Sequence, residues 1–457
     1  MKNKIFIIIL LISAFLLKAE AQSPVVAPSQ KKPVILTGGT VHTGTGEIID
    51  NGIIAFSGGK ITFAGKSSDF QGDRTNAEVI DVSGKQVYPG LILPNTSLGL
   101  VEISGVDVTV DNRETGDLNP NVRSIVAYNT DSHVIPVVRS NGILIAQVVP
   151  AGTLLPGTSS VVQLDAWNWK DAIYKSDNGI QMGWPRKSAQ TGRGSFNIAV
   201  LTTGSGESNY DKSVEQLEKI FTDALAYSAV EKPKDTNLRL EALRGLFNGT
   251  KTLYVNAPEP KGIIAAISFA KRYRVKKIVL TGADESAWAV KDFLKENNIP
   301  VILAHVHALP KYEHSDTRFP FKLAAMFHRE GILVGLTYSN QAYGYNLPFV
   351  AGQTAAYGLT KEEALQTITL NNAKILGIED VTGSLEAGKD ANIVVSTGDI
   401  LNMMTNNIEY AFICGRNISL DNKHKQLYRR FQEKYKQQRK DPPAPPVLRP
   451  GQALKED

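Results

Sequence analysis

His305 and His307 stand two residues apart in AHVHALP, closing the strand-like stretch Pro300–His305. Side chains along a strand alternate, so both imidazoles point the same way and can share a divalent metal such as zinc. A third ligand would come from Asp284 or Asp165, each at another predicted strand end. A pocket-facing pair that only hydrogen-bonds satisfies the same spacing. Five acids, Glu102, Asp107, Asp111, Glu114 and Asp117, crowd one segment. Paired carboxylates can act as acid and base, and oxygen-rich loops can hold calcium. The simplest reading is a solvated loop carrying its charge outward.

Three further stretches invite a chemical reading. Ser205 in TTGSGES lacks the Gly-x-Ser-x-Gly elbow of a nucleophile. Trp167 and Trp169 in LDAWNWKDAIY offer faces for stacking on a ring or sugar, or pin a loop to the surface. Pro150–Ser160, PAGTLLPGTSS, is either a long turn or a loop whose backbone N–H groups hold an anion or a carbonyl oxygen. His42 and His424 lie outside the central region, and His133 reads as structural. His314 and His328 follow the seventh strand, where His314 could cover the mouth.

These residues must be positioned by an alternation of short apolar strands and amphipathic helices, the pattern of a parallel sheet with crossovers. Eight strands are predicted: Leu91–Asn95, Ile143–Val149, Val161–Asp165, Ile180–Trp184, Thr252–Asn256, Lys277–Thr281, Pro300–His305 and Ile332–Thr337. Eight such units predict an α/β fold, a (β/α)8 TIM-type barrel with its chemistry at the C-terminal strand ends. Capping boxes at Ser213–Gln216 and Thr360–Glu363 predict helix starts, and Ala364, Leu365, Ile368 and Ile375 form an apolar stripe. Residues 34–88 read as β-structure with hairpin signals at Asp50-Asn51-Gly52 and Gly58-Gly59. Asp390–Val395 and Ile408–Cys414 are again strand-like.

The 457 residues suit one large barrel plus a satellite domain. Lys2 and Lys4 precede the apolar run Ile5–Leu17, and Ala19-Glu20-Ala21 supplies small residues for cleavage. Residues 1–21 therefore read as a signal peptide, 22–33 as a linker, and the protein as exported, periplasmic or secreted. The run is shorter than the ~20 residues of a membrane span, so no membrane span is expected after cleavage. The net charge of +5 falls to about +3 when Lys2, Lys4 and Lys18 leave with Glu20, which gives no argument for nucleic acid. Cys414 is the single cysteine and reads as a small core residue. Residues 421–440 predict a basic helix with Leu427, Phe431 and Tyr435 on one face, docked on the body or binding a partner, and 441–457 a proline-rich disordered tail.

A split β-domain around a barrel, YPGLI entering its first strand, and the closing motifs LTKEEALQTITLNNAKILGIED and GSLEAGKDANIVV together resemble the amidohydrolase superfamily, its imidazolonepropionase-like branch in particular. The resemblance spans about residues 34–420. It implies a metal-bearing barrel, 89–384, and a small β-sandwich from both chain ends, 34–88 and 385–420. It further implies hydrolysis of C–N bonds in cyclic or linear amides by metal-activated water.

The family's ligand positions are filled differently here. Its first-strand His-x-His corresponds to Asn95 and Ser97; Asn256 stands at the fifth-strand position, Gly282 at the sixth, and Ser339 and Asn340 at the eighth. The fourth strand, GIQMGWP, offers neither Lys nor Glu. Neutral carboxamides and hydroxyls are weak zinc ligands, so no cofactor is expected at the family site, and His305 with His307 is the alternative metal site. Two functions stay open: a C–N hydrolase with non-standard ligands, and an inactive barrel that binds or scaffolds. A small molecule in the barrel mouth is the expected partner; substrate and oligomeric state are not specified by the sequence.

Overall fold

The computed structural model of the chain describes residues 25–186, 207–304, 306–338 and 340–437. The leader, the 441–457 tail and Ser205 lie outside the described residues, as do His305 and Ser339.

The chain opens with β1 (Val34–His42), β2 (Ile48–Ser57), β3 (Lys60–Lys66), β4 (Glu78–Asp81) and β5 (Gln86–Pro89). Gly58-Gly59 makes the β2–β3 turn as expected. Asp50-Asn51-Gly52 does not make a hairpin: it lies inside β2, where Asn51 at φ 49° takes up a register shift against β1. The reversal before β2 falls instead at residues 43–47.

The central sheet follows with β6 (Leu91–Thr96), β7 (Ile143–Val148), β8 (Gly157–Gln163), β9 (Ile173–Gly183), β10 (Thr252–Asn256), β11 (Ile278–Ala283), β12 (Val301–Leu303) and β13 (Val334–Leu336). All eight expected strands are present in sequential order, but one runs the wrong way for a pure β/α repeat. β8 is antiparallel to both β7 and β9, while the remaining pairs are parallel. The cause is connection length. Parallel neighbours need a crossover of about a dozen residues, and 149–156 and 164–172 are shorter.

The helices are α1 (Val134–Arg139), α2 (Trp169–Ala172), α3 (Glu207–Ser228), α4 (Leu238–Asn248), α5 (Pro260–Arg272), α6 (Glu285–Trp288), α7 (Lys291–Glu296), α8 (Phe319–Arg329), α9 (Leu347–Ala356), α10 (Lys361–Thr367), α11 (Leu370–Leu376) and α12 (Lys423–Lys436). Ser213–Gln216 is interior to α3, not a helix start. The Thr360 box is real: Glu363 N donates to Thr360 Oγ1 at 3.2 Å, and Thr360 N to Glu363 Oε2 at 2.7 Å. Its stripe residues Ala364, Leu365, Ile368 and Ile375 are all buried.

Finally β14 (Ile393–Ser396), β15 (Ile408–Ile413) and β16 (Arg416–Asn417) return to the first strands, giving one eight-stranded sheet ordered β16-β15-β14-β5-β1-β2-β3, with β4 also on β1. This sheet draws its strands from both chain ends. The central sheet is nearly closed. Ile92, Ile145, Val161, Tyr254, Val279 and Ile302 fill its lower interior against Ile375 and Leu376 of α11. Across the β6–β13 seam, Asn372 Nδ2 donates to Ile92 O at 2.8 Å and Leu336 O at 3.0 Å. Gly335 is glycine because a Cβ there would lie 2.2 Å from Asn372 Oδ1.

Candidate functional site

The described family positions fall into two groups at the mouth. On β6, Asn95 has left-handed backbone, φ 51°, which Asn tolerates better than most residues. Its N–H donates to Gln147 Oε1 at 3.1 Å. Ser97 Oγ donates to Gln341 Oε1 at 3.2 Å, and Asn340 caps the following turn by accepting from Ala342 N at 2.9 Å. The second group is Asn256, ending β10, and Gly282 on β11. Gly282 has φ +66°, and a Cβ built there would sit 3.1 Å from Asn256 Nδ2. Asn256 and Gly282 line a cavity of about 470 Å3; Asn95, Ser97 and Asn340 do not.

Inside the barrel lies a neutral polar layer. Gln147 and Gln181 each donate to Ser159 Oγ, at 3.2 and 3.1 Å. Ser159 donates to Asn178 Oδ1 at 3.0 Å, Asn178 Nδ2 to Tyr254 OH at 2.9 Å, and Tyr254 OH to Ile375 O at 3.3 Å. All five side chains are buried. Burial pushes the Tyr254 phenol well above its ordinary pKa, so the layer stays uncharged. The donors and acceptors satisfy one another, which buried polar groups require. These residues were not singled out from the sequence. The available signal was polar residues interrupting the apolar runs ILIAQV, GTSSVVQ, NGIQMG and TLYVN.

The cavity is bounded by the segment after β12, which acidic side chains hold down. Lys311 Nζ donates to Pro258 O at 2.6 Å, Ser286 Oγ at 2.7 Å and Asp284 Oδ2 at 2.8 Å. Buried Glu285 accepts from Lys311 N at 3.0 Å and Ser315 Oγ at 2.7 Å. Asp284 is thereby committed to Lys311 and to capping α6 through Ser286 N at 2.8 Å, a tether more than a ligand. His307 is exposed, though partial desolvation lowers its pKa; its expected partner His305 lies outside the described residues.

The reversal of β8 corrects two expectations. Asp165 lies just past its end, at the pole opposite the mouth, where it accepts from Arg139 at 2.6 Å, Arg416 at 2.8 Å and Ala27 N at 3.0 Å. It is a structural anchor and cannot serve a metal beside His307. Trp167 and Trp169 lie at that same pole: Trp167 is exposed and Trp169 packs on the core, so neither stacks on a ligand at the mouth. Pro150–Pro156 does remain at the mouth, where Leu155 N donates to Asp117 O and Asn119 N to Leu155 O. Of the acidic loop, Asp107, Asp111, Glu114 and Asp117 are exposed and Glu102 half-buried, as a solvated loop would be. His314 stacks on Tyr312, and His328 pairs with Glu363 at 3.2 Å.

Three carboxamides, a hydroxyl and a glycine do not fit a divalent ion that selects imidazole, thiolate and carboxylate. Among the described residues no three His, Cys, Asp or Glu side chains are grouped to hold one.

The fold and the closing motif find relatives. The amidohydrolase family profile matches residues 235–418, beginning just before α4 and running into the first sheet's last strands. An imidazolonepropionase from Mesorhizobium japonicum is 23% identical over 383 residues, covering 76% of this chain and 87% of the relative. The crystal structure of an amidohydrolase from Thermotoga maritima superposes with a TM-score of 0.72 at 21% identity, over 84% of this chain and 99% of that one. An adenosine deaminase from Xanthomonas campestris with bound zinc gives 0.51 at 13% identity, over 90% and 99%. Residues 235–418 thus match the amidohydrolase family, and the fold is that of a solved amidohydrolase. Among the described residues no helix is long and apolar enough to cross a membrane.

Proposed function

We propose that this chain is an exported amidohydrolase-superfamily barrel that binds a small polar molecule at its mouth and does not use the metal-activated water of its relatives. The observation that carries the reading is the pairing of Asn256 with Gly282 on the cavity wall. At this place the chemistry needs charged or imidazole ligands, and the chain supplies a carboxamide and a residue with no side chain. The neutral layer of Gln147, Ser159 and Gln181 supports it, because self-satisfied amides leave no charge to balance a cation.

A second reading, hydrolysis of cyclic or linear amide C–N bonds, is favoured by the match to an imidazolonepropionase over most of the chain. Metal analysis of the purified protein after replenishment with zinc, manganese and iron separates the two, followed by assay on cyclic amides and dipeptides. Binding without catalysis predicts less than about a tenth of an equivalent of metal and no turnover. Stoichiometric metal with turnover would overturn it in favour of the hydrolase.

A further inference from the structure

The sequence predicts that α12 docks on the body or binds a partner, and the structure departs from docking: none of its residues is buried. At about 100° per residue, His424, Leu427, Tyr428, Phe431 and Tyr435 fall in one arc of about 100°. Four of them are open to solvent, Leu427 by 37%, Phe431 by 46%, Tyr428 by 66% and Tyr435 by 80%. Phe431 and Tyr435 stack on each other, 6.5 Å apart, and Lys434 Nζ lies 5.8 Å from the Phe431 ring centroid. Lys423, Lys425, Arg429, Arg430, Lys434 and Lys436 occupy the rest of the surface, against the single acid Glu433.

The helix leaves the body from a fixed point. Ile418 is buried, Leu420 packs on the core, and buried Asn422 caps the helix by accepting from Lys425 N at 2.9 Å. Lys425, the half-buried residue of the first turn, lies about 100° round the helix from the centre of the arc. The apolar arc thus lies to one side of the half-buried face and is open to solvent.

We infer that α12 is a peripheral membrane-docking helix whose partner is an anionic phospholipid surface. Basic side chains flank the arc on both sides, where they meet lipid phosphates while Leu427 and Phe431 enter the headgroup–acyl boundary. Tyr428 and Tyr435 carry rings with polar tips, suited to the headgroup level. A protein groove deep enough to bury the arc would also have to desolvate and pair the flanking cations; a phosphate surface neutralises them in place.

The test is co-sedimentation of the full chain with vesicles of phosphatidylcholine alone and of phosphatidylcholine with about 30% phosphatidylglycerol. Partition onto the anionic vesicles is expected to be at least about tenfold stronger, and to weaken in ~0.5 M salt. The double variant Leu427→Asp, Phe431→Asp is expected to lose that gain while melting as the parent does, since both side chains are exposed. Equal partition onto both vesicles, or unchanged binding by the double variant, would overturn the proposal. So would a dimer in sedimentation velocity that the double variant dissolves, without vesicle binding, because the arc would then belong to a second copy.

Discussion

His42 and Glu362 meet at 2.6 Å, Nδ1 against Oε1, where the first sheet packs on α10. The other ring nitrogen lies 2.8 Å from Gln86 Oε1, and the ring stacks on Tyr88 with centroids 4.4 Å apart. Oxygens at both nitrogens favour the doubly protonated ring. Burial alone would lower the His42 pKa, but the hydrogen bonds to Glu362 and Gln86, with the charges of Glu362 and Asp399, outweigh it and raise the value above 6.5. The contact thus ties the first sheet to α10 through a group whose charge depends on pH.

The sign follows from linkage. A histidine whose folded pKa exceeds its unfolded value adds stability that is complete below about pH 6.5 and is lost as pH rises through the folded value. Urea unfolding from pH 5.5 to 9 should show this loss. His42→Gln should flatten the dependence and cost about 2 kcal/mol at the acid end, the scale of a hydrogen bond to a charged partner. An unchanged pH profile in that variant would remove His42 from the account.

Asn372 bridges the barrel seam in place of backbone pairing, beside Thr337, whose Oγ1 donates to Pro94 O. Asn372→Ala would strand the carbonyls of Ile92 and Leu336 in a buried place, and each loss is on the order of 1–3 kcal/mol. The expected cost is about 3 kcal/mol, measured by chemical denaturation. Asn372→Asp should fare no better, since it removes both donors and places a carboxylate against two carbonyl oxygens.

Asp165 tests the assignment of a polar residue to structure over chemistry. It joins Arg139, Arg416 and the Ala27 backbone across the barrel's lower pole. Removing one partner of a buried ion pair costs roughly 3–5 kcal/mol because the other charge stays behind. Asp165→Asn should therefore lower stability steeply, while metal content and any ligand binding at the mouth, at the opposite pole, stay as in the parent. A selective change in either would return Asp165 to the functional site.

The sequence made the barrel legible because its strands are short apolar runs and its closing helices carry a capping box and stripe whose spacing is local. It did not reveal the reversal of β8. GTSSVVQ has the same composition in either direction, and only the shortness of 149–156 and 164–172 carried the information. That reversal moved Asp165 and the two tryptophans away from the mouth. Asn256 ends β10, and Gly282 is the penultimate residue of β11. Their contact depends on a left-handed φ that no residue type dictates, and the Gln147–Ser159–Tyr254 layer depends on lumen parity across four strands.

The Asn256–Gly282 contact yields the sharpest test of the mouth. Gly282 combines φ +66° with a Cβ position 3.1 Å from Asn256 Nδ2, so Gly282→Ala meets two penalties. The left-handed backbone costs a non-glycine residue about 1–2 kcal/mol, and the close approach adds more if Asn256 cannot move. Asn256→Ala alone removes a solvent-exposed side chain and should change stability by less than about 0.5 kcal/mol. In the double variant the steric part disappears and the backbone part remains, so the two changes should couple by about 0.5–1 kcal/mol. Additive effects would mean that Asn256 already swings clear of Gly282. The carboxamide would then be free to turn toward a ligand, and Asn256→Ala should weaken binding at the mouth without altering the stability of the empty protein.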